Sequence, residues 1–290
     1  MAVVNTNISA SLAQASLAKN DRLLSKAMEQ LSTGKKINSA ADDAAGLAIS
    51  TRMSSQITGL EQSVQNAHDA ISMIQTAESA LDEVSTMLLR MRELALQASN
   101  GTGSSADRDY LNDEFQRLGA EIDRIANNTE WNGRPVLNGN AGGTGVSSVS
   151  FQVGGNAGQT ISVSFATLTG GGLASAGGSN TALSGAAIAG ATTASAQTAA
   201  SSAMTGIDIA IENVSNQRAS FGATVNQLTH SIDNLTQVSI NAAQTRSRIM
   251  DTDYAKSTSE LARAQIIQQA GTAMLAQANQ LPASVLDLLG

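Results

Sequence analysis

The 290-residue chain contains no cysteine, only two prolines and few aromatic residues: one Trp, two Tyr and four Phe. Without cysteine there is no disulfide scaffold, no thiol enzyme and no cysteine-based metal site. The scarcity of proline permits long uninterrupted helices, while the scarcity of aromatic side chains leaves little of the large apolar surface that lines catalytic pockets. A net charge of −7 argues against nucleic acid as a partner. The composition therefore favours a helical protein that is not a conventional enzyme.

Membrane and secretion signals are also missing. Residues 1–17 have neither a basic region nor a continuous apolar run, so we expect no cleavable signal peptide. The longest uncharged stretch near the C-terminus, residues 264–286, is interrupted by Gln and Asn side chains, which argues against a membrane span. We therefore expect no membrane insertion.

The ionisable residues form no recognisable catalytic or metal-binding pattern. His68 and His230 each stand alone, without a partner at ligand spacing. Asp42 and Asp43 fall in the predicted first turn of a helix, where acidic groups complement the helix dipole, and Ser39 with Asp42 suggests a capping box there. No phosphate-binding loop, nucleophile elbow or zinc-protease motif occurs. We expect neither catalysis nor a cofactor.

The middle of the chain differs from its flanks. No Asp, Glu, Lys or Arg occurs between Pro135 and Ile207, and most of the glycines fall there. Alternating apolar residues at 149, 151 and 153 and at 161, 163 and 165 flank a glycine-rich turn and predict a β-hairpin. Trp131-Asn132-Gly133 indicates another turn, and residues 170–200 are typical of a linker with weak helix potential.

The flanks show the alternating three- and four-residue spacing of helices that pack against one another. One helix carries two adjacent apolar stripes, a second follows Ser104-x-x-Asp107, and a third begins near residue 201. We therefore predict a mainly α fold: a long antiparallel coiled-coil or helical-bundle rod with a small β-hairpin region at one end. The predicted rod seam contains Ile57, Leu60, Val64, Ile71, Ile211, Val225, Leu228, Ile232 and Leu235.

The two ends of the chain predict another helix pair, with almost no charge. Nothing is ionised before Lys19, and only Asp287 follows Arg263. Helices without a charged outer face should be covered on more than one side, so we expect a partner beyond the chain itself. The residues predicted to make these contacts are Leu17, Leu24, Leu31, Ile267, Met274, Leu281, Val285 and Leu288.

Two motifs at the ends of the chain carry a family resemblance. Residues 31–49, LSTGKKINSAADDAAGLAI, resemble the N-terminal signature of bacterial flagellins, and residues 268–279, QQAGTAMLAQAN, resemble their C-terminal signature. The resemblance covers residues 1–140 and 200–290, and it leaves no room for large outer domains. It implies that residues 1–40 and 251–290 form the inner domain, termed D0. Residues 41–140 and 201–250 would form the helices of the next domain, termed D1. Residues 141–200 would form the hairpin and a short variable segment.

The resemblance implies a structural subunit of the extracellular flagellar filament. Flagellins are exported unfolded and add at the filament tip, so the implied partners are further copies of the chain, the flagellar export apparatus, an export chaperone, and the filament cap and hook-junction proteins. An export route of this kind would explain the missing signal peptide, and the absence of cysteine suits a chain that travels unfolded.

Residues 89–94, LRMREL, resemble the flagellin segment bound by a Toll-like receptor of animal hosts. The resemblance assigns Arg90, Glu93, Leu94 and Glu114 to this patch, and it implies an intersubunit contact there in the filament. Leu89 departs from the glutamine usual in strongly recognised members.

Three alternatives compete with this interpretation. A hook-filament junction protein shares the terminal helices, although the C-terminal signature favours the filament subunit. A coiled-coil signalling or adhesin module would lack both end motifs. An enzyme inserted in the centre would need more residues than positions 140–200 provide.

Overall fold

The computed structural model describes residues 7–168, 187–190 and 192–287, with side chains through residue 280. The predicted mainly α fold is confirmed, because these residues form five helices and only four short strands. The helices are α1 (Ile8–Thr33), α2 (Ala44–Ala98), α3 (Ser105–Asn128), α4 (Thr193–Met250) and α5 (Tyr254–Asp287). The strands are β1 (Glu130–Trp131), β2 (Arg134–Pro135), β3 (Ser148–Gln152) and β4 (Thr160–Ser164).

The chain divides into two compact units. The terminal unit comprises the described residues of Met1–Ile57 and Ser239–Gly290, and the central unit comprises those of Thr58–Val238. Helices α2 and α4 each contribute residues to both units.

In the central unit, α2 and α4 run antiparallel. Two ion pairs join them: Arg92 Nε lies 2.7 Å from Asp208 Oδ1, and Arg218 Nη1 lies 3.1 Å from Asp82 Oδ1. Both predicted apolar stripes of α2 are buried, because α3 and the hairpin region pack on this helix together with α4. The buried stripe residues include Ile74, Leu81, Leu88, Met73, Val84 and Met91.

Helix α3 begins at the predicted capping box. The Ser104 Oγ accepts from the Asp107 backbone N–H at 3.2 Å, and the Asp107 carboxylate accepts from the Ser104 backbone N–H at 3.0 Å. The box satisfies donors that the first helical turn would otherwise leave without partners. Phe115 and Ile122 then anchor α3 in the core.

The predicted hairpin is formed by β3 and β4, which pair antiparallel with Val149 opposite Val163 and Phe151 opposite Ile161. Just beyond β4, Phe165 packs on Phe221 of α4, with ring centroids 5.2 Å apart and planes tilted by 57°. The turn predicted at Trp131-Asn132-Gly133 joins β1 to β2, with positive φ at Asn132 (51°) and Gly133 (74°), as a tight two-residue hairpin requires.

Two helix starts differ from the sequence expectation. The carboxylate of Asp43 accepts from the Gly46 N–H at 2.9 Å at the start of α2, whereas Ser39 and Asp42 bond each other in the preceding turn. Helix α4 begins at Thr193, inside the predicted linker, because Ala196 and Ala200 pack into the core and offset the weak propensity of this stretch. Residues 169–186 and 191 of that linker lie outside the described residues.

Candidate functional site

Helices α1 and α5 form an antiparallel pair in the terminal unit. The Asn7 Nδ2 donates to the Ala278 carbonyl, and the Asn20 Nδ2 donates to the Ala264 carbonyl, each at 2.7 Å. The Asp21 carboxylate accepts from Gln268 Nε2 at 3.1 Å. Residues near the start of α1 thus pair with residues near the end of α5, so the two helices run in opposite directions.

The facing positions of this pair follow a strict alternation of three and four residues, and we call them the terminal seam. Every seam position is buried or half-buried, and half of the side chains are Ala, Ser or Gly, so the helices approach closely. On α1 the seam contains Ala10, Ala13, Leu17, Asn20, Leu24, Ala27 and Leu31; on α5 it contains Ser257, Leu261, Ala264, Gln268, Gly271, Leu275 and Ala278.

The structure divides the predicted terminal contact residues between two environments. Leu17, Leu24 and Leu31 are half-buried in the terminal seam, whereas Ile267 is 48% exposed and Met274 is 66% exposed. Leu281 and Val285 belong to α5, but their side chains, like all of Leu288, lie outside the described residues. The α5 seam therefore uses Leu261, Gln268 and Leu275, and it leaves Ile267 and Met274 on the surface.

The terminal helices expose further large apolar side chains that the spacing analysis did not select. They include Ile8, Leu12, Leu23 and Met28 on α1, and Ile266 on α5. At about 100° per residue, Ile8, Leu12 and Leu23 fall on one side of α1, away from the seam. The sequence did contain a signal for this second surface, because these residues are apolar although they lie outside the stripe with three- and four-residue spacing.

We call the exposed residues Ile8, Leu12, Leu23, Met28, Ile266, Ile267 and Met274 the outer apolar surface. Leu23 and Ile267 border a groove of about 370 Å³ between α1 and α5, and Lys26, Glu260 and Arg263 also line it. Exposed apolar surface rimmed by polar groups is typical of protein interaction sites. The arrangement suits packing against another helix.

The predicted rod seam lies inside the protein. Ile57, Leu60 and Leu228 are buried, and the remaining members, Val64, Ile71, Ile211, Val225, Ile232 and Leu235, are half-buried. Ile71, Ile211, Val225 and Ile232 pack against the core cluster of the central unit. Their geometry is that of internal packing between helices.

The predicted receptor patch is built around Arg90. Its Nε donates to Glu114 of α3 at 2.9 Å, and its Nη1 donates to Glu93 at 3.0 Å. Glu114 first, and Glu93 second, raise the pKa of Arg90 above its usual value. Leu94 lies beneath these groups in the core at 1% exposure, whereas Leu89 is exposed beside them. The accessible patch therefore comprises the three charged residues and Leu89, without Leu94.

Two kinds of site were searched for in the part of the chain that the structure describes: a metal-binding cluster and a membrane-spanning helix. No cluster of three His, Asp or Glu side chains is positioned there to hold a metal ion. Within the same residues, no helix has an apolar stretch long enough to span a bilayer.

Comparison with known proteins finds matches to the helical regions at both ends of the chain. The model of the bacterial flagellin N-terminal helical region matches residues 4–142, and that of the C-terminal helical region matches residues 204–289. A flagellin of Halalkalibacterium halodurans is 45% identical over 287 residues, and a flagellin of Bacillus subtilis is 44% identical over 302 residues; each alignment covers 99% of both chains.

A solved structure from Vibrio parahaemolyticus, described as flagellar hook-associated, aligns with 72% of this chain and all of its own, with a TM-score of 0.60. Its 16% identity shows a shared fold alone. The full-length relatives are flagellins, so the hook-junction alternative is not favoured. With family models matching both helical regions, the chain belongs to the bacterial flagellin family.

Proposed function

We propose that this flagellin polymerises by packing the outer apolar surface of its terminal helices against other copies of the chain. Flagellins are structural subunits of the bacterial flagellar filament, which is extracellular. The observation that carries the proposal is the exposure of Ile267 and Met274 within residues 264–286, a stretch that contains no charged residue. Covering such surface is favourable, because it removes apolar area from water.

The geometry of the contact leads to a filament. In the proposed polymer, a different patch of the next copy covers the outer apolar surface, and such a contact is heterologous. Heterologous contacts whose rotation does not close generate an open helix of subunits. In this scheme Leu17, Leu24 and Leu31 hold the α1–α5 pair together, and the proposed filament contacts also include Leu281, Val285 and Leu288, whose sequence spacing continues that of Ile267 and Met274.

The segments of the chain then take separate roles in the assembly. Residues 1–40 and 251–290 form the inner tube, residues 41–140 and 201–250 form the surrounding helical shell, and residues 141–200 supply the hairpin and a short variable segment. The rod seam residues named above stabilise the shell within each copy.

Export through the flagellar apparatus, with the help of a chaperone, belongs to the same proposal. The chain has no cysteine to cross-link during unfolded passage. Half of the terminal seam positions hold Ala, Ser or Gly, which bury little apolar area and so limit the stability of the isolated pair. The filament cap and the hook-junction proteins would meet the terminal helices at the two ends of the polymer.

The Arg90 patch supports a second contact. Arg90, Glu93 and Glu114 form an exposed charged group that suits a polar intersubunit contact, and in free subunits the same group would be open to a Toll-like receptor of a host. Leu94 contributes from beneath by supporting α2 at this point. Leu89, in place of glutamine, would weaken the recognition.

One substitution series tests both surfaces. Met274→Glu should abolish filament formation, because a charge would be desolvated in the contact, while circular dichroism of the monomer stays unchanged. Gln277→Glu, at an exposed polar position of the same helix, is the matched control and should polymerise. Electron microscopy after seeding with filament fragments gives the readout, and normal filaments from Met274→Glu would refute the proposal.

An Arg90→Ala variant in the same series tests the second contact. It should weaken receptor binding by the monomer and slow polymerisation, since both carboxylates lose their shared cation. Undiminished receptor binding would remove Arg90 from that surface.

A further inference from the structure

We infer that Asn100 is a site of spontaneous covalent modification, at which the folded chain converts asparagine into aspartate and isoaspartate. Water is the co-reactant, and the reaction uses no enzyme or cofactor. The inference goes beyond polymerisation, because it concerns the chemistry of the loop that joins α2 to α3.

The reaction depends on the residue that follows the asparagine. The backbone nitrogen of that residue attacks the asparagine Cγ and gives up its proton, so that an N–Cγ bond forms and a cyclic imide closes. The Cγ–Nδ2 bond breaks, and the amide nitrogen takes up a proton and leaves as ammonia. Water then opens the imide at one carbonyl to give aspartate or at the other to give isoaspartate, whose main chain runs through Cγ. Glycine favours the attack, because it has no Cβ to hinder the approach.

Asparagine precedes glycine at three positions of this chain: Asn100, Asn132 and Asn138. Ring closure requires rotation about the Cα–C bond of the asparagine, which moves the residues after it relative to those before it. A site is therefore restrained when both of its sides are held, and it must then open locally before it reacts. The structure distinguishes the three sites on this basis.

Asn138 is held on both sides. Before it, Leu137 is fully buried. After it, the Asn140 N–H donates to the Asn138 Oδ1 at 3.1 Å. Asn140 is fixed in turn, because its carbonyl accepts from the Gly143 N–H at 2.9 Å and its Oδ1 accepts from the Gly145 N–H at 2.7 Å. Ring closure at Asn138 would break this set of bonds.

Asn132 is exposed, but it lies in the tight turn between β1 and β2, with φ at 51°. The residues before and after the turn pair with each other, Trp131 with Arg134. Just beyond that pair, the Val136 N–H donates to the Thr129 carbonyl at 3.0 Å. Rotation at Asn132 would separate the two strands, so exposure alone does not make this site reactive.

Asn100 is held on one side only. It is exposed two residues past the end of α2, and its N–H bonds to the Gln97 carbonyl at 3.2 Å, before the bond that must rotate. After it, the Thr102 N–H lies 3.4 Å from the Asn100 Oδ1, near the upper limit for a hydrogen bond. Among the residues that the structure describes, none accepts from the Gly101 N–H, so the attacking nitrogen is available.

The loop can also accommodate the products. None of residues 99–104 is buried, so a new carboxylate there stays in water and the additional main-chain carbon of isoaspartate disturbs no core packing. The conversion adds one negative charge to a chain whose net charge is already −7. The modified chain should therefore remain folded, and the products should accumulate with time.

Incubation of the full-length monomer in mildly alkaline buffer tests the inference, because alkali favours loss of the proton from the attacking nitrogen. Heavy-oxygen water labels each conversion that occurs during incubation, and mass spectrometry of peptides assigns it to a residue. Incubation in denaturing urea gives the intrinsic rates of the three sites. In the folded chain Asn100 should keep most of its intrinsic rate, whereas Asn132 and Asn138 should slow by roughly tenfold or more, the factor expected when at least one hydrogen bond must open.

Two glycine substitutions in the same loop form a matched pair. Gly101→Ala places a Cβ beside the attacking nitrogen and should remove most of the conversion at Asn100. The structure accommodates this Cβ, which would lie 3.5 Å from Gln197 Nε2 in ordinary contact. Gly103→Ala adds the same carbon where no atom lies within 4 Å, and it should leave the conversion unchanged. Circular dichroism checks that both variants fold.

Labelling of Asn100 that exceeds labelling of the other two sites in the folded chain, and that Gly101→Ala removes, would establish the site. Equal rates at the three sites in the folded chain, or an unlabelled Asn100, would overturn the inference. Equal losses from Gly101→Ala and Gly103→Ala would also overturn it, because the effect would then belong to the loop as a whole. The measurement uses monomers, so these results are independent of the proposed polymerisation.

Discussion

The central and terminal units bury different kinds of side chain. The largest fully buried residues, among them Phe115, Phe165 and Phe221, all belong to the central unit. Along α1 and α5, by contrast, the buried positions hold Asn20, Ala27, Ser257 and two further alanines, while the seven residues of the outer apolar surface are exposed. The central unit buries its largest apolar side chains, whereas helices α1 and α5 of the terminal unit expose many of theirs.

This difference indicates where each unit obtains its stability. Burial of large side chains offsets the conformational entropy lost on folding, so the central unit can be stable within a single copy. The buried positions described on α1 and α5 hold no large apolar side chain, so this pair gains much less, and its exposed apolar residues contribute to stability when another copy covers them. Substitutions can test whether the central unit is stable by itself and whether the terminal helices depend on contacts with other copies.

The largest effect is expected in the core of the central unit. Phe221→Ala should lower the free energy of unfolding by about 3–5 kcal/mol, because it removes a fully buried ring that packs on Phe165. Leu24→Ala, at a half-buried seam position of α1, should leave the unfolding midpoint of the central unit unchanged. Urea denaturation of monomeric protein measures both, and equal losses from the two substitutions would contradict the comparison.

Helix caps should show the same contrast on a smaller scale. Ser104→Ala removes the capping box of α3 and should cost the central unit about 1 kcal/mol. Asp253, whose carboxylate accepts from the N–H groups of Ala255 and Lys256, caps α5, and Asp253→Ala should increase amide exchange there alone. A loss of central-unit stability from Asp253→Ala would show that the units unfold together.

The smallest effect concerns the turn before α2. The Lys26 ammonium, 2.7 Å from Asp42, and the backbone N–H groups of Ser39 and Asn38 lower the pKa of Asp42 from 3.8 to about 2. A carboxyl group whose pKa is lowered by folding stabilises the folded state above its unfolded pKa, and this contribution is lost as the pH falls toward 2.

Asp42→Asn should therefore weaken the protection of the Ser39 and Asn38 amides near neutral pH and flatten its dependence on pH between about 4 and 2. Amide exchange followed by NMR measures this, with Glu29→Gln on the exposed side of α1 as the control. Protection that falls with pH in Asp42→Asn as it does in the unsubstituted protein would assign the effect to another group.

Much of the fold was predictable because its signals are local. The Ser104–Asp107 box, the alternation at residues 149–153 and 161–165, and the positive-φ turn at Asn132-Gly133 each depend on neighbours in the chain. The start of α4 was not predictable in the same way: Thr193–Ala200 has weak intrinsic helix propensity, and burial of Ala196 and Ala200 decides its structure.

For the candidate surfaces, too, the sequence pattern did not decide which face of a helix is buried. The small residues of α5 at 264, 271 and 278 belong to two possible stripes, one through Ile267 and Met274 and one through Gln268 and Leu275. Periodicity alone favoured the more apolar stripe, whereas in the structure the other faces α1. Leu94 differs, because the apolar spacing of α2 predicts its burial, whereas the motif resemblance assigns it to an exposed patch.

The amino-acid sequence by itself determined the helix periodicity, the β3–β4 hairpin, the uncharged ends and the flagellin family, because spacing and motif depend on residue order. Only the tertiary structure decided which side of each helix is covered. That choice turns on close approach between distant segments, such as Asn20 with Ala264 and Leu17 with Gly271, and on the hydrogen bonds that such an approach permits.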